Sequence, residues 1–269
     1  MINDLQHPGR RPRKVDDALA RRAIGLIDLT DLADDHSAEG IDYLCARARR
    51  HATAAVCVWP EHVARCVANL SGSDVRVATV VNFPTGEEPL GEVLAVTRAA
   101  LDAGADDIDV VLPYRAFLDG DLEYAAQVVS EVAALITPPQ LLKVILESGE
   151  LGEPDVVTAA AALAIDNGAD FVKISTGKVS AGASLSAATA MVGVIAEARD
   201  RGHSIGLKPS GGIRSYADAA SYLDVAESAM GSEWATPATF RFGASGLLDA
   251  LLEVVAAPSQ SSGTDPNGY

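Results

Sequence analysis

The sequence predicts a single (β/α)₈ TIM barrel, an α/β fold. From about Gly25 onward, eight short runs rich in β-branched residues alternate with longer Ala-rich stretches of helical character, the pattern of repeated βα units around a parallel sheet. Eight parallel strands are the number that closes such a barrel. The alternative is an open doubly wound sheet, which predicts a Gly-rich fingerprint after the first strand. The segment 28–32 contains no glycine, so the barrel is favoured.

The predicted strands are short and separated by helical segments. They are Gly25–Thr30, Ala54–Val58, Arg76–Val81, Asp107–Leu112, Leu141–Glu147, Phe171–Ser175, Ser204–Lys208 and Phe240–Gly243. Between them, Leu90–Ala103 and Leu185–Arg201 carry apolar residues at helical spacing, which predicts amphipathic helices on the outside of the barrel.

The composition predicts one large domain with an appended segment at each end. The chain has 269 residues, 48% of them hydrophobic, which is enough for one large core. We predict the barrel domain over residues 17–256. Residues 1–16 include a short basic cluster and are predicted to be a solvated N-terminal arm, and residues 257–269 are a polar Pro/Gly/Ser tail with too little apolar surface to fold alone.

The charge balance indicates a small-molecule partner. With 37 acidic and 21 basic residues the formal net charge is -16, which disfavours non-specific binding to nucleic acid or to anionic lipid. No apolar run reaches the ~20 residues that cross a bilayer, and the N-terminus lacks the apolar region of a signal peptide. For the assembly we keep a homodimer as a hypothesis.

Cysteine usage favours a cytoplasmic protein. The three cysteines, Cys45, Cys57 and Cys66, are an odd number without C-x-x-C spacing. That pattern fits free thiols in a reducing compartment better than a disulfide framework or a structural zinc site. We read Cys57, inside the second predicted strand, as a buried thiol, with a pocket-lining thiol as the alternative.

Lysine is scarce in this chain, and four of its five lysines lie beyond the N-terminal arm. They are Lys143, Lys173, Lys178 and Lys208, whereas arginine supplies 16 of the basic side chains. Arginine stays protonated at any usable pH and cannot become a free amine nucleophile. The distribution supports a chemical role for some of these lysines.

Ionisable residues interrupt apolar strands near the ends where barrel enzymes place their catalytic groups. Asp109 lies in the fourth predicted strand, Lys173 in the sixth and Lys208 in the seventh. Strand alternation also turns Lys143, in the fifth, toward the interior with Glu147. Because charged groups are almost never buried without partners, we expect Asp109 and the three lysines to face one another inside the barrel.

These buried lysines suggest imine chemistry. A lysine close to other ammonium groups in a poorly solvated pocket loses its proton more readily, and the free amine can attack an aldehyde. The alternative is a structural ion-pair network with no catalytic role, which perturbs ionisation equally well. The pattern favours the functional interpretation without removing the alternative.

Glycines at the strand ends predict a phosphate site. Gly177 follows the sixth strand, Gly211 and Gly212 follow the seventh, and the segment Gly243–Gly246 follows the eighth, just before a helical run. Barrel enzymes often hold a phosphate with backbone N–H groups of the loops after strands seven and eight, aided by a helix N-terminus. Glycine also occurs in ordinary turns. The prediction of a phosphate site therefore depends on the presence of glycine-rich segments at more than one of the expected strand ends.

A metal mechanism for carbon–carbon cleavage is not supported by the sequence, because it needs clustered ligands with an open position. The histidines are scattered along the chain. They are His7, His36, His51, His62 and His203.

The motifs together resemble the deoxyribose-phosphate aldolase family from about Gly25 to Leu252. The segments that carry the resemblance are Ile27–Thr30, Val80–Pro84, Ile108–Val111, Lys143–Glu147, Phe171–Lys173, Ser175–Lys178, Lys208–Gly212 and Arg241–Ser245. The resemblance implies reversible cleavage of 2-deoxy-D-ribose 5-phosphate into D-glyceraldehyde 3-phosphate and acetaldehyde, with neither a metal nor an organic cofactor.

The resemblance also implies roles for individual residues. Lys173 would form the Schiff base, Lys208 would favour its neutral amine, Asp109 would move protons through a water, and Lys143 would pair with this cluster. Tyr269 corresponds to a terminal tyrosine that assists proton transfer at the enamine in some family members. Its alternative is a disordered last residue.

Matching positions place further residues around the substrate. Those expected near the sugar are Asp28, Thr30 and Cys57, and those expected near the phosphate are Thr176, Gly177, Lys178, Gly211, Gly212 and Ser245. Gly246 stands where a second serine is common, so the phosphate site keeps the backbone N–H but loses a hydroxyl there. Ile174 replaces a common threonine and is expected to affect packing only.

Two other functions remain compatible with the same fold and lysines. One is a different Schiff-base aldolase or a transaldolase, and the other is a sugar-phosphate-binding barrel without turnover. The fold alone does not separate them, because barrels host many chemistries.

Overall fold

The computed structural model describes residues 16–35, 37–179 and 182–257. Within these ranges the first helix begins at Asp17 and the last ends at Ala256. The arm at 1–16 and the tail at 257–269 lie almost entirely outside the described residues, so the division of the chain into three segments stays a prediction. No helix in the described ranges has the length and apolar character needed to span a bilayer.

Eight parallel strands form one sheet whose edges meet. The strands are β1 (Ile27–Thr30), β2 (Ala55–Val58), β3 (Arg76–Val81), β4 (Asp107–Val111), β5 (Leu141–Ile145), β6 (Phe171–Lys173), β7 (Gly206–Lys208) and β8 (Phe242–Ala244). Their order is β7-β6-β5-β4-β3-β2-β1-β8. Isolated parallel bridges from Leu207 to Phe240 and from Ser210 to Gly243 join the two edges. The predicted TIM barrel is therefore confirmed.

Helices connect the strands and cover the outside of the sheet. They are α1 (Asp17–Ile24), α2 (Ala38–His51), α3 (Val63–Leu70), α4 (Leu90–Asp102), α5 (Tyr114–Leu118), α6 (Leu122–Ala133), α7 (Ser148–Leu151), α8 (Pro154–Asp166), α9 (Leu185–Asp200), α10 (Tyr216–Met230) and α11 (Leu247–Ala256). Short polar side chains fix several starts: Ser184 caps α9, and Ser215 with Asp218 forms a capping box on α10. The two amphipathic helices predicted between the strands are confirmed to within one residue.

Strand alternation separates a charged interior from an apolar outer layer. In β4, Asp107 and Asp109 point into the barrel, so Ile108 and Val110 face the surrounding helices, and all four are fully buried. Gly206 admits the interior ring of Phe171, because a β-carbon at Gly206 would lie 2.3 Å from a ring atom. The barrel is thus packed rather than hollow.

Strand bounds differ from the predicted ones: β5 and β6 end two residues earlier, whereas β8 begins two residues later and ends one residue later. β5 stops at Ile145 instead of Glu147, whose φ of 53° is left-handed and incompatible with a strand. β6 stops at Lys173 instead of Ser175, although Leu146 N–H still donates to the Lys173 carbonyl. β8 covers Phe242–Ala244 instead of 240–243, because Phe240 N–H closes a turn onto Thr236. Polar residues beyond these ends are therefore free to face a cavity.

Candidate active site

Three interior lysines meet at one carboxylate group. Nζ of Lys173 lies 2.8 Å from Oδ2 of Asp109, and Nζ of Lys208 lies 2.7 Å from the same oxygen. Nζ of Lys143 donates to the other oxygen, Oδ1, at 3.1 Å. Each of the four residues is at most 3% exposed. The structure thus brings together the four residues that strand parity predicted to converge.

Strand register explains why these side chains meet. Asp109 pairs with Lys143 across β4 and β5, and Lys173 pairs with Lys208 across β6 and β7. Paired residues in adjacent parallel strands lie at the same height and on the same face of the sheet. Lys173 pairs with Ile145 rather than with Lys143, so the two pairs are offset by two residues along the strands and share the interior face.

A second carboxylate, Asp28 on β1, closes the cluster from the opposite side. Its Oδ1 accepts a hydrogen bond from Arg241 at 2.7 Å, and its Oδ2 lies 2.6 Å from Nζ of Lys208 as an ion pair without hydrogen-bond alignment. Asp28 is fully buried. Lys208 is therefore in contact with two carboxylates, Asp28 and Asp109.

Asp107 is a third buried carboxylate, and the sequence analysis gave it no role. Its Oδ2 accepts from Lys143 at 2.6 Å, and its Oδ1 accepts from the guanidinium of Arg76 at 2.6 Å and 2.8 Å. Asp107 lies two residues before Asp109 in the same predicted strand, so strand alternation predicts that both side chains face the interior. Arg241 was also missed as a partner, since its contact with Asp28 spans 213 positions in sequence.

The buried cluster carries one more positive than negative charge when every member is ionised, and the partly exposed Arg76 adds a further cation at Asp107. The cations of the buried cluster are Lys143, Lys173, Lys208 and Arg241, and its anions are Asp28, Asp107 and Asp109. Carboxylates lie between the lysines. The sequence analysis considered only the effect of neighbouring ammonium groups on one another and did not include these carboxylates. The lysines therefore interact through Asp109 and Asp28 rather than directly.

Burial and ion pairing act in opposite directions on these groups. Burial acts to raise the pKa of Asp109, but the ammonium groups of Lys143, Lys173 and Lys208 outweigh it and hold that pKa well below its ordinary value. Burial acts to lower the pKa of Lys208, but the carboxylates of Asp109 and Asp28 outweigh it and raise that pKa. Lys208 is thus a permanent cation beside Lys173 at neutral pH.

A cavity of about 380 Å³ opens above the cluster, at the C-terminal ends of the strands. Predicted residues that line it are Thr30, Lys173, Thr176, Gly177, Lys178, Gly211, Gly212 and Ser245. Of the three lysines on Asp109, Lys173 is the one on the cavity wall. A ligand in the cavity therefore reaches Lys173 before the charges beneath it.

Other predicted residues lie away from the cavity wall. Asp28, Asp109, Lys143, Lys208 and Cys57 are fully buried beneath it. Burial raises the pKa of the Cys57 thiol, which fits the buried interpretation of this residue. Gly246 is exposed at the N-terminus of α11 and is not part of the wall, and Tyr269 lies outside the described residues.

Glycine loops form part of the cavity wall. Gly177, Gly211 and Gly212 have φ angles of 76°, 95° and 83°, conformations that a β-carbon disfavours. A β-carbon on Gly211 would also lie 2.4 Å from Oγ of Ser175. The loops after β6 and β7 therefore pack so closely that their backbones form the wall.

Two cationic residues belong to the same wall. Nζ of Lys178 donates to the Leu32 carbonyl at 2.7 Å, which ties the loop after β6 to the loop after β1. Arg214 lines the cavity from an exposed position after β7 and was missed by the sequence analysis. Together with Ser245 and the start of α11, they give this wall the character of an anion site.

Glu147 was also given no role from sequence, apart from its shared face with Lys143. It is fully buried, and its Oε2 accepts hydrogen bonds from the N–H group and the hydroxyl of Thr176. Burial raises the pKa of Glu147, although the two hydrogen bonds from Thr176 act against that shift. Among the described residues, no group of three or more His, Cys, Asp or Glu side chains is arranged to hold a metal ion.

Comparison with known proteins gives a consistent result. Residues 22–253 match the family described as DeoC/LacD family aldolase. A deoxyribose-phosphate aldolase of Agrobacterium fabrum is 46% identical over 251 residues, 92% of this chain and 94% of that protein. The tetrameric deoxyribose phosphate aldolase of Aeropyrum pernix superposes with a TM-score of 0.71 at 25% identity, covering 89% of this chain and 92% of that one.

A further solved structure, the aldolase QR15, superposes with a TM-score of 0.74 at 25% identity over 86% of this chain and 95% of that one. The family match runs from within α1 to within α11, so it includes every strand and the whole charge cluster. It confirms the resemblance carried by the sequence motifs. The chain belongs to the DeoC/LacD family of aldolases.

Proposed function

We propose that this chain cleaves 2-deoxy-D-ribose 5-phosphate reversibly to D-glyceraldehyde 3-phosphate and acetaldehyde, through a Schiff base on Lys173. The observation that carries the proposal is the position of Lys173. Its amine lies on the wall of the cavity, 2.8 Å from Asp109, with glycine loops and two cations on the same wall. The 46% identical Agrobacterium fabrum aldolase supports the choice of substrate.

In the first step the free amine of Lys173 attacks C1 of the open-chain aldehyde and gives a carbinolamine. A proton returned by Asp109 then leaves with the C1 oxygen as water, and the protonated imine forms. Lys173 must first release a proton, and Asp109 is the acceptor in contact with it. The loss of that charge removes one of the three cations that hold the pKa of Asp109 down. Once Lys173 is neutral, Asp109 therefore retains the transferred proton more readily, and it passes that proton on directly or through a water.

In the second step the bond between C2 and C3 breaks. A base removes the proton of the C3 hydroxyl, the C3 oxygen becomes the aldehyde of D-glyceraldehyde 3-phosphate, and the electron pair flows to the imine nitrogen to give an enamine. Protonation of the enamine at C2 and hydrolysis release acetaldehyde and restore Lys173. Lys208 remains charged beside Lys173, and its proposed role is the one that the family resemblance implies, which is to favour the free amine of Lys173.

The substrate phosphate fits the wall formed by the loops after β6, β7 and β8. The donors proposed for the phosphate are the backbone N–H groups of Gly177, Gly211 and Gly212, the hydroxyl of Ser245, and the cations of Lys178 and Arg214. Thr30, Asp28 and Cys57 are proposed to stand on the sugar side, with Thr30 on the wall and the other two beneath it. Gly246 supplies a backbone N–H at most.

Three narrower expectations complete the proposal. Tyr269 is proposed to assist enamine protonation, although it lies outside the described residues. The cytoplasm is the proposed compartment, which agrees with three cysteines that stand as free thiols. A homodimer is the proposed assembly, and light scattering coupled to gel filtration measures it.

The proposal is tested by product analysis. The protein is incubated with 2-deoxy-D-ribose 5-phosphate and a chelator, and acetaldehyde and D-glyceraldehyde 3-phosphate are assayed with separate dehydrogenases. We expect one molecule of each product per substrate cleaved. Cleavage of other sugar phosphates but not of this one would favour a different Schiff-base aldolase. Tight binding without any cleavage would favour a non-catalytic barrel.

A further inference from the structure

Glu147 occupies a position that a glutamate rarely tolerates. The residue lies just beyond β5, its side chain is fully buried, and its backbone is left-handed with φ 53° and ψ 56°. Residues with a β-carbon seldom adopt this conformation, and a buried carboxylate seldom lacks a cationic partner in hydrogen-bond contact. Both features indicate that the side chain has a use at this position.

The carboxylate of Glu147 is directed at the loop after β6. Oε2 accepts from the backbone N–H of Thr176 at 3.1 Å and from the hydroxyl of Thr176. Because that hydroxyl donates to Glu147, its lone pairs are free to accept, and they take the N–H of Lys178 at 3.1 Å. One carboxylate oxygen therefore fixes the backbone on both sides of Gly177.

The other oxygen, Oε1, has no hydrogen-bond partner among the described residues. The hydrogen bonds of the Glu147 carboxylate are thus made by Oε2 alone, to Thr176 in the loop after β6. Thr176, Gly177 and Lys178 all line the cavity, on the wall proposed above for the substrate phosphate. Glu147 itself is not part of that wall.

We propose that Glu147 is a positioning residue, which sets the preference for phosphorylated over unphosphorylated substrates by fixing the loop 176–178. The inference rests on the proposed function and deepens it, because it names a residue that acts on the phosphate without touching it. An acid–base role for Glu147 predicts something different, since it would affect every substrate equally.

The experiment compares two variants with two substrates. Glu147→Gly removes the side chain and accepts a left-handed backbone, whereas Glu147→Gln keeps one oxygen that can accept from Thr176. For Glu147→Gly we expect KM for 2-deoxy-D-ribose 5-phosphate to rise about tenfold, as for the loss of a hydrogen bond to a charged group, with kcat within about threefold. For unphosphorylated 2-deoxy-D-ribose, kcat/KM should change less than about twofold.

Glu147→Gln should restore most of the lost affinity, because the contact with Thr176 survives. An equal fall of kcat/KM for both substrates, or a Glu147→Gln variant as poor as Glu147→Gly, would overturn the positioning role. Should Glu147→Gly not fold, Thr176→Val removes the hydroxyl that Glu147 holds and is expected to show the same phosphate-specific rise in KM. Unchanged selectivity in Thr176→Val would also overturn the proposal.

The inference and the proposed function fail separately. Titration calorimetry with inorganic phosphate measures the affinity of the loop 176–178 for phosphate without any turnover. We expect Glu147→Gly to bind phosphate about tenfold more weakly than Glu147→Gln. Equal phosphate binding by the two variants would contradict the role of Glu147. A wild-type protein that binds phosphate but does not cleave 2-deoxy-D-ribose 5-phosphate would contradict the proposed function alone.

Discussion

Nζ of Lys173 lies 2.8 Å from Oδ2 of Asp109, with Lys173 at the edge of the cavity and Asp109 wholly beneath it. The same oxygen is 2.7 Å from Nζ of Lys208. A proton released by Lys173 therefore has an acceptor in contact, while the charge of Lys208 keeps that acceptor ionised.

Asp109→Asn should impair both folding and turnover. The variant leaves three buried ammonium groups around a neutral amide, and the loss of one partner in a buried ion pair costs about 3–5 kcal/mol. We expect the free energy of unfolding to fall by that amount in denaturant titrations. In the folded fraction, kcat should fall at least about 100-fold, the contribution expected of a positioned acid–base group. A stable, fully active Asp109→Asn variant would contradict the role of this carboxylate.

Lys173→Arg should abolish turnover while keeping the positive charge beside Asp109. A guanidinium stays protonated and cannot form an imine, so no product should appear in the dehydrogenase assays. Lys178→Arg is the matched control, since Lys178 lies on the cavity wall but contacts the Leu32 carbonyl instead of the cluster. That control should still form the adduct at Lys173. Full activity in Lys173→Arg would eliminate the mechanism.

The acid limb of the stability curve should report the buried carboxylates. Ion pairing holds the pKa of Asp109 in the folded state well below its ordinary value, and the pKa of Asp28 is lowered as well. Their stabilisation is therefore complete above the unfolded-state pKa of about 3.9 and is lost as the pH falls further toward the folded-state pKa. Below about pH 3.5, each such group contributes a slope of about 1.4 kcal/mol per pH unit.

Unfolding of the wild type and of Asp109→Asn between pH 5 and pH 2 measures this contribution. We expect the wild-type slope to be steeper by about 1.4 kcal/mol per pH unit at the acid end. Asp102→Asn, at an exposed position of α4, is the matched control and should leave the slope close to that of the wild type. Identical slopes for wild type and Asp109→Asn would show that Asp109 is not stabilised as an anion.

Arg214→Ala should weaken binding of the phosphorylated substrate. Arg214 is an exposed cation on the cavity wall after β7, so its removal should raise KM about tenfold and leave kcat nearly unchanged, the loss expected for one charge-assisted hydrogen bond. Arg98→Ala, exposed on α4 away from the cavity, is the control and should leave both constants unchanged. A kcat defect in Arg214→Ala would instead place this residue in the chemistry.

Most of the fold could be predicted from the sequence because the barrel repeats one simple pattern. All eight strands and both amphipathic helices were predicted, and the errors lie at strand ends. Glu147 illustrates the cause: alternation continues through it, but its left-handed backbone ends β5 two residues earlier. The side-chain contact of Glu147 with Thr176, 29 residues away, leaves no mark on local periodicity.

The interior of the site was partly predictable for the same reason. Parity along β4, β5, β6 and β7 turned Asp109 and the three lysines inward, and they meet in the structure. Asp107 followed the same parity and was passed over, whereas the contact of Arg241 with Asp28 depends on the closure of β8 against β1. Arg214 lies in an irregular loop, where the direction of a side chain does not follow the alternation of a strand or the repeat of a helix.

Borohydride trapping shows directly whether Lys173 forms a Schiff base with the substrate. The protein is mixed with 2-deoxy-D-ribose 5-phosphate in the presence of a chelator, reduced with borohydride, digested and mapped by mass spectrometry. We expect a reduced adduct on the peptide that contains Lys173, and on no other peptide. An adduct on a different lysine, or no adduct from a protein that turns the substrate over, would contradict the Schiff-base role of Lys173.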